Sequence, residues 1–376
     1  MGYIGWKMKL VVALLMLLGS ATAWAGTMPP VQTVFIILLE NDDWPNFRGS
    51  ADAPYINGSL LPVASFCEGY HNPPGLHPSL PNYIWLEAGT NFGILDNNDP
   101  SVNHLNTTNH LASLLNNAGI SWKTYQEDIS GTIVPLYYTG GYAPRHNPFV
   151  YFDDVTGTNN PNYAYGIAHN RPYTELAADL TNNTVARYNF ITPNICHGGH
   201  DACPPLYNQV RQADDWLAAE IPKILSSSAY RNGGAIFITW DETLNGDGPI
   251  GMIVLSPLAR GGGYFNQVHY SHSSTLRTFQ EIFGVTPWLG DAANATDLSE
   301  LFQPFGLSNV AKLSGGEVQL TATGVIPGWT SIIQASTDLA TWVPISTNMP
   351  ATNTFTVIDH AAANLDRRFY RILQAP

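Results

Sequence analysis

The run VQTVFIILL (31–39) is almost continuously apolar and rich in β-branched residues, the pattern of a strand covered on both faces. GAIFITW (234–240) and GMIVLSP (251–257) repeat it, and YNFITP (188–193) is a weaker copy. Between these runs the period changes. Val210, Leu217, Ile221, Ile224 and Leu225 recur at roughly helical intervals, as do Leu276, Phe279, Ile282 and Phe283 ahead of Gly284. Strands alternating with helices predict an α/β domain over 26–306, with a mostly parallel central sheet flanked by helices. The stretch LSNVAKLSGG (307–316) reads as a linker. Five short runs follow it: EVQLTATG (317–324), SIIQAST (331–337), TWVPIS (341–346), TFTVID (354–359) and RRFYRIL (367–373). In the first, Val318, Leu320 and Ala322 alternate with Gln319, Thr321 and Thr323, the period of a half-buried strand. A small antiparallel, β-sandwich-like module is expected over 317–376.

The beginning of the chain is patterned as a leader. Lys7 and Lys9 precede LVVALLMLLGS (10–20), which is too short to span a bilayer, and ATAWA (21–25) offers small residues for cleavage after Ala25. Export is therefore expected, to a secreted or periplasmic location. No later run reaches about 18 uninterrupted apolar residues, so no transmembrane segment is predicted. Removing 1–25 takes away two positive charges and no negative ones, so the formal −13 becomes −15. Such a chain has no general attraction for nucleic acid and no polybasic run for anionic lipid. An anionic substrate would need local cations to gather it. In an oxidising compartment Cys196 and Cys203, enclosing HGGHDA, predict a disulfide, leaving Cys67 as a small buried apolar residue.

In a mostly parallel sheet, ligands bind beyond the carboxyl ends of the strands. The first strand runs into Glu40-Asn41, and GAIFITW runs into Asp241-Glu242. Oxygen donors paired in this way suit a hard divalent cation, and without one neighbouring carboxylates repel. YNFITP leads into NICHGGHDAC (194–203), whose His200 and Asp201 could hold a metal or a phosphate. His272, in HYSHSSTLRTFQEIFG (269–284), falls at a helix N-terminal edge, which favours a neutral imidazole for metal binding or proton transfer; Ser271 or Ser273 would cap that helix. In LHPSLPNYI (76–84), Ser79 can be a plain N-cap with Pro81 in the first turn, or a nucleophile held where a cap would sit. A helix N-terminus receives phosphate well, and metal coordination would activate the hydroxyl.

LLEN, HPSLPNY, PNxCxxxHDxC (193–203), ITWDE and HYSHSSTLRTFQEIFG, in that order, resemble the bacterial secreted phosphoesterase family of the alkaline-phosphatase-like superfamily. That family holds acid phosphatases and phosphatidylcholine-type phospholipases C. RHNPFVYF (145–152) makes the likeness closest to the acid phosphatase branch, which includes a phosphatidylinositol-phosphate phosphatase. The resemblance spans about residues 31–290 and implies an alkaline-phosphatase-like fold. Residue by residue, it implies Ser79 as nucleophile, with His272 and His200 also in catalysis. It implies a divalent metal of unknown identity on Glu40, Asn41, Asp241, Glu242 and Asp201. Asn97 (in GILDNN), His77 and His146 are the implied substrate-binding residues. Position 242 is glutamate where relatives often carry aspartate or histidine, and LLENDDW lacks the aromatic pattern of the phospholipase branch.

The expected activity is phosphate monoester hydrolysis through a phosphoserine at Ser79, on a phosphorylated small molecule or phosphoinositide-like substrate. A phosphodiesterase or phospholipase C on the same site, and a non-catalytic secreted binding protein, are the alternatives. The C-terminal module carries no recognisable catalytic group; surface anchoring, glycan contact and a plain spacer remain open for it.

Overall fold

In the computed structural model, which describes residues 28–244 and 246–375, the first apolar run becomes the central strand β1 (Thr33–Leu39), buried from Val34 onward. The expected leader lies outside the described residues. Seven more strands complete the sheet: β2 (Ser65–Cys67), β3 (Trp122–Gln126), β4 (Asn170–Pro172), β5 (Tyr188–Thr192), β6 (Gly234–Trp240), β7 (Met252–Leu255) and β8 (Tyr264–Asn266). Their order is β4-β3-β5-β1-β6-β7-β2-β8. All neighbours are parallel except β7, which runs antiparallel to both β6 and β2. The expected mostly parallel α/β sheet is thus observed, with one reversed strand. A doubly covered strand shows the same continuous apolar run whichever way it points, so the pattern carries no direction.

Three helices bear on the site: α1 (Ser79–Ala88), α2 (Gln209–Leu225) and α3 (His272–Phe283). Helices α2 and α3 match the two helical periodicities, and α3 ends at Gly284 in the left-handed region (φ 65°). Ser271 is the N-cap of α3, in a capping box with Ser274. Helices α1 and α3 pack together, and Trp85 Nε1 donates to Ser273 Oγ at 2.8 Å. Among the described residues no helix is long and apolar enough to cross a membrane.

Glu87 fastens the far end of α1 to the sheet. It is fully buried and accepts a 2.6 Å hydrogen bond from the Tyr188 hydroxyl of β5. Burial pushes its carboxyl up to about 7, from an ordinary 4.5. A carboxyl raised on folding contributes stability below its unfolded pKa, which is lost as pH rises through the folded value. Glu87 should therefore cost the fold about 3 kcal/mol between pH 4.5 and pH 8. In Glu87→Gln that part of the pH dependence should disappear, raising the melting temperature at pH 8 relative to wild type far more than at pH 4.5. Parallel melting profiles for the two proteins would contradict this.

The C-terminal module consists of two antiparallel three-stranded sheets. Its strands are β9 (Gly306–Lys312), β10 (Val318–Thr323), β11 (Thr330–Ser336), β12 (Val343–Asn348), β13 (Thr354–Asp359) and β14 (Phe369–Ala375), ordered β9-β10-β13 and β12-β11-β14. Most of the expected linker is β9, an edge strand whose later residues are exposed and so show no alternation. Ile326 joins the main core and packs over Gly233, at the start of β6, and Asn353 Nδ2 donates to the Pro257 carbonyl at 3.1 Å. Gly233 sits at φ 87°, a conformation strained for other residues, with an Ile326 methyl 2.8 Å from where a Cβ would lie. The module therefore docks at the opposite end of β6 from Asp241.

Candidate active site

The β1–β6 register pairs Leu39 with Trp240, and the Asp241 N–H donates to the Leu39 carbonyl at 3.0 Å. Two neighbouring parallel strands therefore end together, and the residues after them, Glu40 and Asp241, emerge side by side. Both are buried, as is Glu242. The disulfide loop closes over them. Cys196 and Cys203 are bonded, as expected, and the Glu40 N–H donates to the Gly198 carbonyl at 2.9 Å. A side chain at Gly198 would meet Glu40 Cγ at 3.2 Å, so a glycine permits this approach. Gln212, at the start of α2, fixes the loop by donating to the carbonyls of Cys196 and Asp201, at 2.8 and 2.9 Å.

Ser79 lies beside this cluster, 2 % exposed, its hydroxyl 3.5 Å from Glu242 Oε1. It is not the cap. Pro78 occupies the N-cap position and Ser79 is the first helical residue; the Leu80 N–H is satisfied instead by Asn97 Oδ1 at 3.0 Å. Asn82 donates to the carbonyls of Leu76 and Pro78, at 2.8 and 3.2 Å, holding the turn that presents the serine. The next residue, Tyr83, donates its hydroxyl to Glu40 Oε1 at 2.5 Å. The Pro-Asn-Tyr run thus serves the same few side chains as Ser79.

On the other side of Glu40, Oε2 lies 3.0 Å from His146 Nε2. The donor atoms of Glu40, His146 and His200 all fall within 4.8 Å of one another. His146 is buried and its ring stacks on Tyr83, with centroids 5.3 Å apart. His200 is held by Asp201, whose Oδ1 receives its Nδ1 at 2.7 Å, so Nε2 carries the lone pair facing the cluster.

The electrostatics follow from crowding. Burial and then the charges of Glu40 and Glu242 push the Asp241 carboxyl well above the carboxylate range. Glu242 is pushed up to about 7, chiefly by burial, although His77 works against this through a short contact from Nδ1 to Oε2. For Glu40 burial also acts upward, but His146 first, then His200 and Tyr83, bring it below its ordinary value. Asp241 Oδ2 is buried without a hydrogen-bond partner, and Glu40 Oε2 and His146 Nε2, buried 3.0 Å apart, have only each other and no well-aligned hydrogen bond. Buried orphans are expensive, and three carboxylates with an imidazole are hard-cation donors. The residues present fit a divalent metal.

Several implied assignments change. Asp201 is exposed and orients His200, so it is a support for that ring and not a metal donor. Both nitrogens of His272 are occupied: Nε2 by the Asp241 carbonyl at 2.6 Å, Nδ1 by the Tyr70 hydroxyl at 3.1 Å. Burial depresses its pKa to about 4, so the neutral ring positions the Asp241 backbone and has no nitrogen left for substrate or metal. The Asn97 carbonyl is committed to capping α1. His146, expected on the substrate side, lies against Glu40 in the candidate metal cluster. His77 stands at the rim, partly exposed, its ring against Glu242. Asn41 follows Glu40 and is half-buried. Tyr83 and Arg145 were not singled out by the sequence reading, although both stand in the motifs HPSLPNY and RHNPFVYF.

Residues 51–286, which hold every one of these side chains except Glu40 and Asn41, match the phosphoesterase family. The chain belongs to that family. The phosphoesterase is 28 % identical over 283 residues to the phosphatidylinositol-3-phosphatase of Mycobacterium tuberculosis, covering 74 % of this chain and 85 % of that protein. It is 28 % identical over 266 residues to an acid phosphatase of Aspergillus niger, covering 68 % of this chain and 58 % of the relative. Phospholipase C A of Mycobacterium tuberculosis is 25 % identical over 294 residues, 63 % of this chain and 53 % of that one. Among solved structures, an alkaline phosphatase superfamily protein from Vibrio parahaemolyticus is similar, with a TM-score of 0.48 at 10 % identity over 86 % of each chain. The murine ectonucleotide pyrophosphatase/phosphodiesterase 5 gives 0.46 at 10 % identity, over 72 % of this chain and all of that one. The phosphoesterase is a hydrolase of phosphate esters.

Proposed function

We propose that this phosphoesterase is an exported, metal-assisted phosphomonoesterase of the acid phosphatase type, acting through a phosphoserine at Ser79. The observation that carries the reading is the placement of the buried Ser79 hydroxyl 3.5 Å from Glu242, beside Asp241 and the carboxylate oxygens of the Glu40 cluster. Glu40, Asp241, Glu242, His146 and His200 would hold the cation. When bound, it would lower the hydroxyl pKa and offset charge on the phosphoryl oxygens.

The chain's own groups do the rest. Glu242 Oε1 is placed to take the Ser79 proton as Oγ bonds to phosphorus. The P–O ester bond breaks, the leaving oxygen takes a proton from water to depart as an alcohol, and Glu242 later returns its proton to Oγ. Water then cleaves the phosphoserine and releases inorganic phosphate. Tyr83 and His146 keep Glu40 oriented, and His272 keeps the Asp241 backbone in place. The disulfide and the leader-like residues 1–25 support export. The names of the mycobacterial and fungal relatives support a phosphoinositide-like or small phosphorylated substrate.

Acid quenching during turnover of p-nitrophenyl phosphate, followed by mass spectrometry of the peptide containing Ser79, should reveal a phosphate on that residue. Turnover with no trapped phosphate at Ser79, across quench times and pH, counts against the phosphoserine. A diesterase or phospholipase C is the second reading, favoured by the phospholipase relative. Faster cleavage of bis(p-nitrophenyl) phosphate or phosphatidylcholine than of the monoester would select it.

A further inference from the structure

The proposed reaction needs a group that recognises the phosphoryl anion, and the start of α1 offers little. The Leu80 N–H is taken by Asn97, and Pro81 has none. The carboxylates around Ser79 repel an anion, as does the chain's formal −13. One cation breaks this field. Arg145 lies between the buried Pro144 and His146 in a single turn, and the Thr192 hydroxyl donates to the His146 carbonyl at 3.1 Å, anchoring that turn to β5. Its Nη2 is 3.5 Å from His200 Nε2, and its Nε is buried with no hydrogen-bond partner. Among the described residues no carboxylate lies within ion-pair distance of it, whereas Arg171 and Arg277 are held by Glu175 and Glu281 at 2.6 Å. The rings beside it, His200 and His146, supply no negative charge.

Resting on the phosphoester reading, we infer that Arg145 binds the phosphoryl group of the substrate and selects phosphate monoesters over diesters. A half-buried guanidinium with an unsatisfied N–H is costly, and an anion removes the cost. Its planar fork matches two phosphate oxygens at once, which a lysine ammonium cannot do. A monoester loses its second proton near a pKa of about 6, so at neutral pH it is close to a dianion with three terminal oxygens. A diester is a monoanion with two. The fixed cation therefore gains more from the monoester, against a surround of carboxylates that penalises every anion.

The test uses the purified metal-loaded protein as wild type, Arg145→Lys and Arg145→Gln. Three quantities are measured: binding of inorganic phosphate by calorimetry, kcat/KM for p-nitrophenyl and bis(p-nitrophenyl) phosphate, and metal content. Arg145→Gln should weaken phosphate binding by about 10- to 100-fold and lower monoester kcat/KM by about 100-fold, with less than about fivefold loss on the diester. Arg145→Lys should fall between, and metal content should not change. Parallel losses on both esters, unchanged phosphate affinity, or a drop in bound metal would overturn the inference, the last because it would make Arg145 a prop for His200. If wild type binds phosphate but cleaves no ester, the proposed function fails while the calorimetry still decides the role of Arg145.

Discussion

Replacing Ser79 with alanine is expected to lower kcat for p-nitrophenyl phosphate by about 10⁴-fold or more, with the melting temperature essentially unchanged. The two halves of this result come from different parts of the structure. A serine acting as N-cap would lose about 1 kcal/mol on substitution by alanine. Here Pro78 holds the cap position and Asn97 satisfies the Leu80 N–H, so α1 keeps its end without the hydroxyl. The hydroxyl approaches Glu242 at a long 3.5 Å and also reaches the Asp241 carboxylate, contacts that contribute little to stability beside the burial of those acids. A hydroxyl that caps no helix yet is buried beside Asp241 and Glu242 has its use in the chemistry. Steady-state kinetics and a thermal melt on the same preparation check both halves. Retention of more than a tenth of wild-type turnover would remove Ser79 from the mechanism; full loss of activity with a melt lowered by many degrees would make it structural.

The convergence of Glu40 with Asp241 was readable because two buried runs each end in acids, and equal exit from adjacent parallel strands follows from the fold class alone. The chemistry that completes the site was harder to read. His146 and Arg145 lie in a short 3₁₀ turn with no period, and their approach to Glu40 depends on how that turn is tied to Thr192 of β5. The strands β2, β4 and β8 have three residues each, too few to show alternation. Asn97 caps α1 from 17 residues beyond Leu80, a tertiary contact that made Ser79 look like its own cap. His272 opens α3, the helix edge read from the sequence, and it is burial that depresses the pKa of its ring. What sequence could not give is that both nitrogens are already spent, on Asp241 and Tyr70. Local pattern fixes which residues come to the end of the sheet; burial and long-range hydrogen bonds decide which still have a free atom there.

Exhaustive chelation should reduce turnover by about 10³-fold, with recovery on adding back a divalent cation, and Glu40→Gln should reproduce the loss with little metal bound. The argument rests on charge balance. Glu40, Asp241 and Glu242 share one buried region, and without a cation Asp241 is forced toward its protonated form by burial and by its two neighbours. A cation reverses this, because it binds the deprotonated carboxylates and neutral imidazoles and releases their protons. Retained metal should therefore fall as pH drops, protonation of the raised carboxyls competing with the ion. Glu40 is the substitution of choice because its buried Oε2 lies 3.0 Å from His146 Nε2 and its carboxylate is shared by the acidic and imidazole sides of the cluster. Glutamine keeps the shape and an acceptor for Tyr83 but loses the charge. Metal content by plasma mass spectrometry, measured with activity across pH 4.5 to 8, reads both claims. Undiminished turnover from protein shown to be free of metal would end the metal-assisted reading and leave Arg145 and Glu242 to carry the reaction unaided.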